Sequence, residues 1–240
     1  MLVAGLTTPR NLLMKKTLTT LMMLGAASAA QAEMVTREVA YEIDGEAYQG
    51  MLVYDDAVKD KRPGLLMVPN WMGVTENSAK KAYRAGGSDY VVFIADMYGK
   101  DIRPSNADEA AKAATTVRSD RQMMRKRVNA ALDVFREQAD SVPLDTDRIG
   151  AIGFCFGGGT VLELARSGTD IAGVVSFHGN LDTPEPADAN NIKMPVLVLH
   201  GAKLRQQLVT FTYVLSQDRL KAISNKLNAS YADQTRPQIK

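Results

Sequence analysis

Short apolar runs separated by helical stretches set the rhythm of the chain from residue 35 to residue 200. Val35 to Tyr41 alternates apolar and polar residues, Asp44-Gly45 is a turn signal, and Ala47 to Tyr54 alternates again. That is the pattern of a β-hairpin. After a charged loop, Lys59 to Gly64, the run Leu65-Leu66-Met67-Val68 is wholly apolar and reads as a buried strand of a parallel sheet. Tyr90 to Ala95, Ile149 to Ile152, Ile171 to Phe177 and Pro195 to Leu199 repeat that signature. Helical stretches lie between them. One leads in at Thr75-Glu76-Asn77-Ser78 and runs through Arg84. A second opens on the cap residues and early acids of Ser105 to Glu109 and continues to Thr115. A third, Asp120 to Gln138, carries Met124, Val128, Ala131, Leu132 and Phe135 at helical spacing and is broken by Val142-Pro143. A fourth spans Thr160 to Arg166. Strands alternating with helices predict an α/β fold, with a mainly parallel sheet and helices on both faces. Ligands of such sheets bind at the carboxyl ends of the strands. Asn70-Trp71, Asp96, Cys155, His178 and His200 all fall at those ends, so the pattern alone converges on a single site.

One junction carries most of the chemistry. Gly153-Phe154-Cys155-Phe156-Gly157-Gly158-Gly159 stands between the Ile149–Ile152 strand and the Thr160–Arg166 helix. Strand, sharp turn and helix are the context of a nucleophile elbow, in which a strained backbone lifts the nucleophile clear of the sheet. The usual elbow holds serine; here the position is Cys155, the chain's only cysteine. No Gly-x-Ser-x-Gly occurs elsewhere. A small buried thiol in a glycine-rich turn is the plainer alternative for Cys155, and core packing is the plainer one for Trp71.

Composition narrows the function classes. With 240 residues, 45% of them hydrophobic, the chain can bury one sizeable core. A net charge of +2 with interspersed signs argues against a nucleic-acid surface. The basic run Arg118–Arg127 reads as a solvated helix face. One cysteine excludes an internal disulfide, and two histidines leave little material for a metal centre, so no metal and no cofactor is expected. Near the start, Lys15-Lys16, the apolar Leu18–Ala27 and Ala30-Gln31-Ala32 form the three parts of a secretory signal peptide. Met14 opens that signal more naturally than Met1, so residues 1–13 read as an upstream start. Cleavage before Glu33 would put the mature chain in the periplasm or outside the cell, with no stable membrane association. The expected organisation is a signal over residues 1–32, an α/β domain over 33–202 and a divergent tail over 203–240.

The elbow, the Asp147-Arg148-Ile149-Gly150 that precedes it, and the strand-end segments Asp96-Met97-Tyr98 and Phe177-His178-Gly179 together resemble the dienelactone hydrolase family of α/β-hydrolases. The resemblance covers about residues 35 to 202. It implies the α/β-hydrolase fold and a Cys–Asp–His triad that cleaves small-molecule esters or lactones. It places the nucleophile on Cys155 and the oxyanion-hole N–H groups on Phe156 and Trp71. Some members carry a glutamate just before the latter donor; this chain has Asn70 there, a candidate substrate-binding residue. Lys100 stands where the resemblance implies an arginine for a substrate carboxylate.

Beyond residue 202 the resemblance stops. The family continues with an aspartate soon after the strand that here ends in His200-Gly201, but no acid occurs until Asp218, and no histidine follows His200. His178 and His200 resemble structural strand-end positions, and Asp182 is the one acid placed to stand in. The expectation is therefore a hydrolase impaired by loss of its triad acid and base, for example through a frameshift near codon 203. The alternative is a catalytically silent hydrolase-like domain that binds a small molecule or partner.

Overall fold

The computed structural model describes residues 34–200. The expected signal segment and the 203–240 tail lie outside the described residues.

Alternation at the start of the chain produces a long antiparallel hairpin. Strands β1 (Met34–Ile43) and β2 (Glu46–Asp55) pair along their whole length. Asp44 and Gly45 both take positive φ, 53° and 82°, the two-residue turn whose twist suits a hairpin. The apolar runs become β3 (Arg62–Val68), β4 (Val91–Ile94), β5 (Leu144–Phe154), β6 (Gly173–Phe177) and β7 (Val196–Leu199). The helical stretches become α1 (Glu76–Gly86), α2 (Ala107–Ser119), α3 (Arg121–Glu137) and α4 (Phe156–Arg166). The seven strands form one sheet in the order β1-β2-β4-β3-β5-β6-β7. β1, β2 and β4 pair antiparallel; β4 through β7 are all parallel. The sheet is thus mainly parallel, as the pattern implies.

Period-two alternation sorts the strand side chains onto two faces. Leu66, Val68, Phe93 and Ala151 pack with Val128, Leu132 and Phe135 of α3 and with Val161 and Leu164 of α4. Leu65, Met67, Val92, Ile94 and Phe154 pack on the other face with Ala82 and Ala85 of α1. Helix α1 starts sharply. Thr75 accepts from the Ser78 N–H at 3.2 Å, and the Ser78 hydroxyl accepts from the Thr75 N–H at 2.8 Å, a reciprocal capping box. Thr75→Ala is expected to lower stability by about 1 kcal/mol, read as a shift of the urea midpoint at constant slope.

Two strands exceed their apolar runs. The charged loop expected over Lys59–Gly64 gives way at Arg62, where β3 already begins. Arg62 is buried, and its guanidinium donates to the carbonyls of Asp55 at 2.8 Å and Ser88 at 3.1 Å. β5 begins at Leu144, ahead of Ile149, because Leu144 and Asp145 pair with Arg62 and Pro63 before a register break. The exposed polar residues at that break hide the strand in the sequence.

The connectivity also locates the site. β3 leads through α1 to β4 on one side, whereas β5 lies on the other side of β3. The β3–β5 boundary is therefore a topological switch point, where α/β sheets open a crevice at the strand ends.

Candidate active site

Cys155 alone separates β5 from α4. Its φ of 54° and ψ of −113° put a non-glycine residue in the left-handed half of backbone space. The conformation is held from both sides: the Cys155 N–H donates to the Phe177 carbonyl at 2.9 Å, and its carbonyl accepts from the Gly159 N–H at 3.2 Å. Glycine makes the turn possible. A Cβ on Gly157 would lie 2.1 Å from the Val68 carbonyl oxygen, and one on Gly153 would lie 2.0 Å from the Gly157 carbonyl oxygen. Only bare backbone lets α4 start directly beside the end of β3. The thiol is half-buried and makes no capping hydrogen bond to α4. The first N–H groups of that helix, Phe156 among them, have no partner within the helix. They give the elbow a partial positive charge.

The loop after β3 supplies the second wall. Its N–H groups can be followed one by one. Gly73 donates to the Asn70 carbonyl at 2.9 Å, and Met72 donates to the Asn70 Oδ1 at 3.1 Å. The Trp71 N–H has no acceptor among the described residues. The Trp71 carbonyl accepts from the Tyr98 hydroxyl at 2.9 Å. Tyr98 also packs its ring on Phe156, with centroids 5.4 Å apart. Asn70 was expected at a substrate-facing position; its Oδ1 closes this loop.

Cations approach the elbow from two helices. The Arg118 guanidinium of α2 lies 5.9 Å from the centre of the Phe156 ring, and the Lys81 ammonium of α1 lies 5.1 Å from that of Phe154. Burial pushes the Lys81 ammonium below its ordinary range, while Cys155 pulls it the other way. A pocket of about 120 Å³ runs past Met67, Asn70, Met72, Lys81 and Phe154. A larger one, about 400 Å³, lies between Tyr98, Ile102 and Arg103 on one side and Lys112, Thr116 and Val117 on the other. Lys100, expected from the resemblance to face a carboxylate, is exposed and tied to the fold by its N–H, which donates to the Ala47 carbonyl at 2.8 Å.

The run Arg118–Arg127 is not the solvated helix face expected of it. Arg121 pairs with Asp182 at 2.8 Å, which engages the one acid placed to stand in for the triad. Arg125 reaches both Glu163 at 2.8 Å and Asp188 at 2.6 Å. Arg127 donates to the Met97 carbonyl at 2.8 Å and lies over the Tyr48 ring. Glu163, fully buried in α4, also takes Arg166 at 2.7 Å. Burial alone would pull the Arg125 guanidinium down; Asp188 and Glu163 outweigh it, and the net shift is upward. These pairs clamp α3, α4 and the segment after β6 together beneath the elbow. No local sequence signal could have shown the α3 pairs, because their carboxylates lie 38 to 63 residues away.

His178 and His200 end β6 and β7, and both are exposed. His178 takes φ 42°, and its N–H donates to the Leu199 carbonyl at 2.7 Å. Among the described residues, no histidine, aspartate or glutamate hydrogen-bonds the Cys155 thiol. Nor does any group of three His, Cys, Asp or Glu residues there form a metal-binding cluster.

Residues 48–210 match the dienelactone hydrolase family. The chain belongs to that family. The solved structure of m3DLH is 31% identical, covers 82% of this chain and 77% of its own, and superposes with a TM-score of 0.65. The dienelactone hydrolase-like promiscuous phosphotriesterase P91 from metagenomic libraries is 30% identical, covers 83% and 78%, and gives a TM-score of 0.66. Among curated proteins, protein usf of Aquifex pyrophilus is 28% identical over 171 residues, 69% of this chain and 70% of that one. The heat-inducible transcription repressors HrcA of Dehalococcoides mccartyi share a shorter stretch, 50–52% identical over 50 residues. The chain spans 14% of the length of those repressors. The fold is the α/β-hydrolase fold of the dienelactone hydrolase family. No described helix is long and apolar enough to cross a membrane.

Proposed function

We propose that this dienelactone hydrolase family member cleaves an ester or lactone through a thioester on Cys155, and that its turnover is limited by the want of a base. The observation that carries the reading is the elbow: a cysteine at positive φ, at the N-terminus of α4. The thiolate attacks the carbonyl carbon, so the S–C bond forms and the carbonyl electrons move onto oxygen. The Phe156 and Trp71 N–H groups stabilise that oxyanion. On collapse the C–O bond breaks and the leaving alkoxide takes a proton. Water then forms the C–O bond of the acid, the C–S bond breaks and the thiolate returns. Each half of the cycle needs a proton carrier, a role a histidine normally fills. No histidine follows His200 in the sequence. Acylation driven by a good leaving group is expected to outrun deacylation, and the thioester to accumulate.

The rate of alkylation by iodoacetamide at neutral pH tests the reading. With a single cysteine, every adduct reports Cys155. A rate well above that of free cysteine is expected. A rate no faster than that of free cysteine would favour the silent, binding reading. We further propose that residues 1–32 are removed on export to the periplasm or the medium; a mature N-terminus other than Glu33 would contradict this.

A further inference from the structure

We infer that Tyr98 is a positioning residue of the oxyanion site, holding its two donor peptides in register. This role rests on the oxyanion reading proposed above. The Trp71–Met72 peptide is pinned at both ends. Its carbonyl accepts from the Tyr98 hydroxyl at 2.9 Å, and its N–H donates to Asn70 Oδ1 at 3.1 Å. With that plane fixed, and with the Gly73 N–H turned back onto the Asn70 carbonyl, the Trp71 N–H is the loop donor left over. The same tyrosine ring lies against Phe156, whose N–H is the second donor. One side chain therefore touches both residues that would hold the oxyanion. The loop carries glycine opposite the ring: a Cβ on Gly73 would lie 3.2 Å from Tyr98 Cδ2, closer than side chains ordinarily approach.

Tyr98 is itself held firmly. The Asp96 Oδ1 accepts from the Tyr98 N–H at 3.0 Å and from the Gly99 N–H at 3.1 Å. The other Asp96 oxygen binds the Gln49 N–H and Arg103, each at 3.0 Å. This buried carboxylate anchors the end of β4, and the tyrosine carries that rigidity across β3 to the elbow. Burial raises the Tyr98 hydroxyl far above its ordinary range, so it remains a donor throughout any working pH. Preorganised donors are effective because they need not reorient as charge develops. Losing the brace leaves both N–H groups in place but lets one of them drift.

Tyr98→Phe removes the hydroxyl and keeps the ring. The chain has one tryptophan, Trp71, so its fluorescence reports the braced loop directly. In the full chain, the variant is expected to steepen acrylamide quenching of Trp71. It should also slow acylation by a p-nitrophenyl ester about 10-fold at saturation, with little change in half-saturation. Alkylation of Cys155 by iodoacetamide, which develops no oxyanion, should keep its wild-type rate. Asn70→Ala, which frees the other end of the same peptide, should reproduce the pattern. Unchanged quenching, unchanged acylation, or a parallel loss of acylation and alkylation would each overturn the inference. A wild-type chain that alkylates but never acylates would overturn the oxyanion reading itself, and this role with it.

Discussion

Incubation with a p-nitrophenyl ester is expected to release a burst of nitrophenol equal to the enzyme concentration, followed by slow turnover, and Cys155→Ala to abolish the burst. The burst is the acylation step. It needs a nucleophile and oxyanion donors, which the proposal assigns to the elbow and the β3 loop, and a good leaving group, which the ester brings. The slow phase is deacylation, in which water must lose a proton while the thioester is attacked. General-base assistance to such a step is typically worth about 10²–10⁴-fold. Neither exposed histidine hydrogen-bonds the thiol, and Asp182 is engaged by Arg121. Added imidazole is therefore expected to accelerate the slow phase and leave the burst amplitude unchanged. A wild-type chain with full turnover and no burst would mean that a base reaches Cys155. Cys155→Ala is not expected to unfold the chain, since the thiol caps no N–H of α4.

Glu163→Ala is expected to destabilise the fold by about 3–5 kcal/mol, the usual cost of removing one partner from a buried ion pair. Glu163 has no exposed surface, and Arg166, its partner on the next turn of α4, is 2% exposed. Alanine at 163 would leave the Arg166 guanidinium with the Leu181 carbonyl, 3.0 Å away, as its one remaining partner among the described residues. It would also strip Arg125 of one of its two carboxylates. At roughly 2–4 °C per kcal/mol for a domain of this size, the melting midpoint should fall by about 10 °C. Asp188→Ala removes the partly exposed member of the same cluster and should cost distinctly less. Equal effects of the two substitutions would show that the cluster does not hold its charge where the burial places it.

Much of the fold is legible in the residue pattern, for a physical reason. Parallel strands covered on both faces are mostly apolar, so β4, β6 and the partly buried β7 announce themselves within a residue or two. The elbow is legible because its steric demands leave few choices: glycine wherever Val68 and Gly157 backbone would otherwise collide. What stayed hidden is whatever depends on distant partners. The arginines of α3 look like a solvated face because their carboxylates, Glu163, Asp182 and Asp188, lie tens of residues away. Arg62 sits in a charged stretch yet is buried, because the Asp55 and Ser88 carbonyls receive its guanidinium. The brace from Tyr98 to Trp71 crosses 27 residues and leaves no periodic trace.

The account stands or falls on the thioester. After a short exposure to an activated ester and an acid quench, the intact mass should rise by one acyl group, and peptide mapping should place it on Cys155 within the Gly153–Arg166 segment. An unmodified wild-type chain, or the same adduct on Cys155→Ala, would contradict the assignment of Cys155 as the nucleophile.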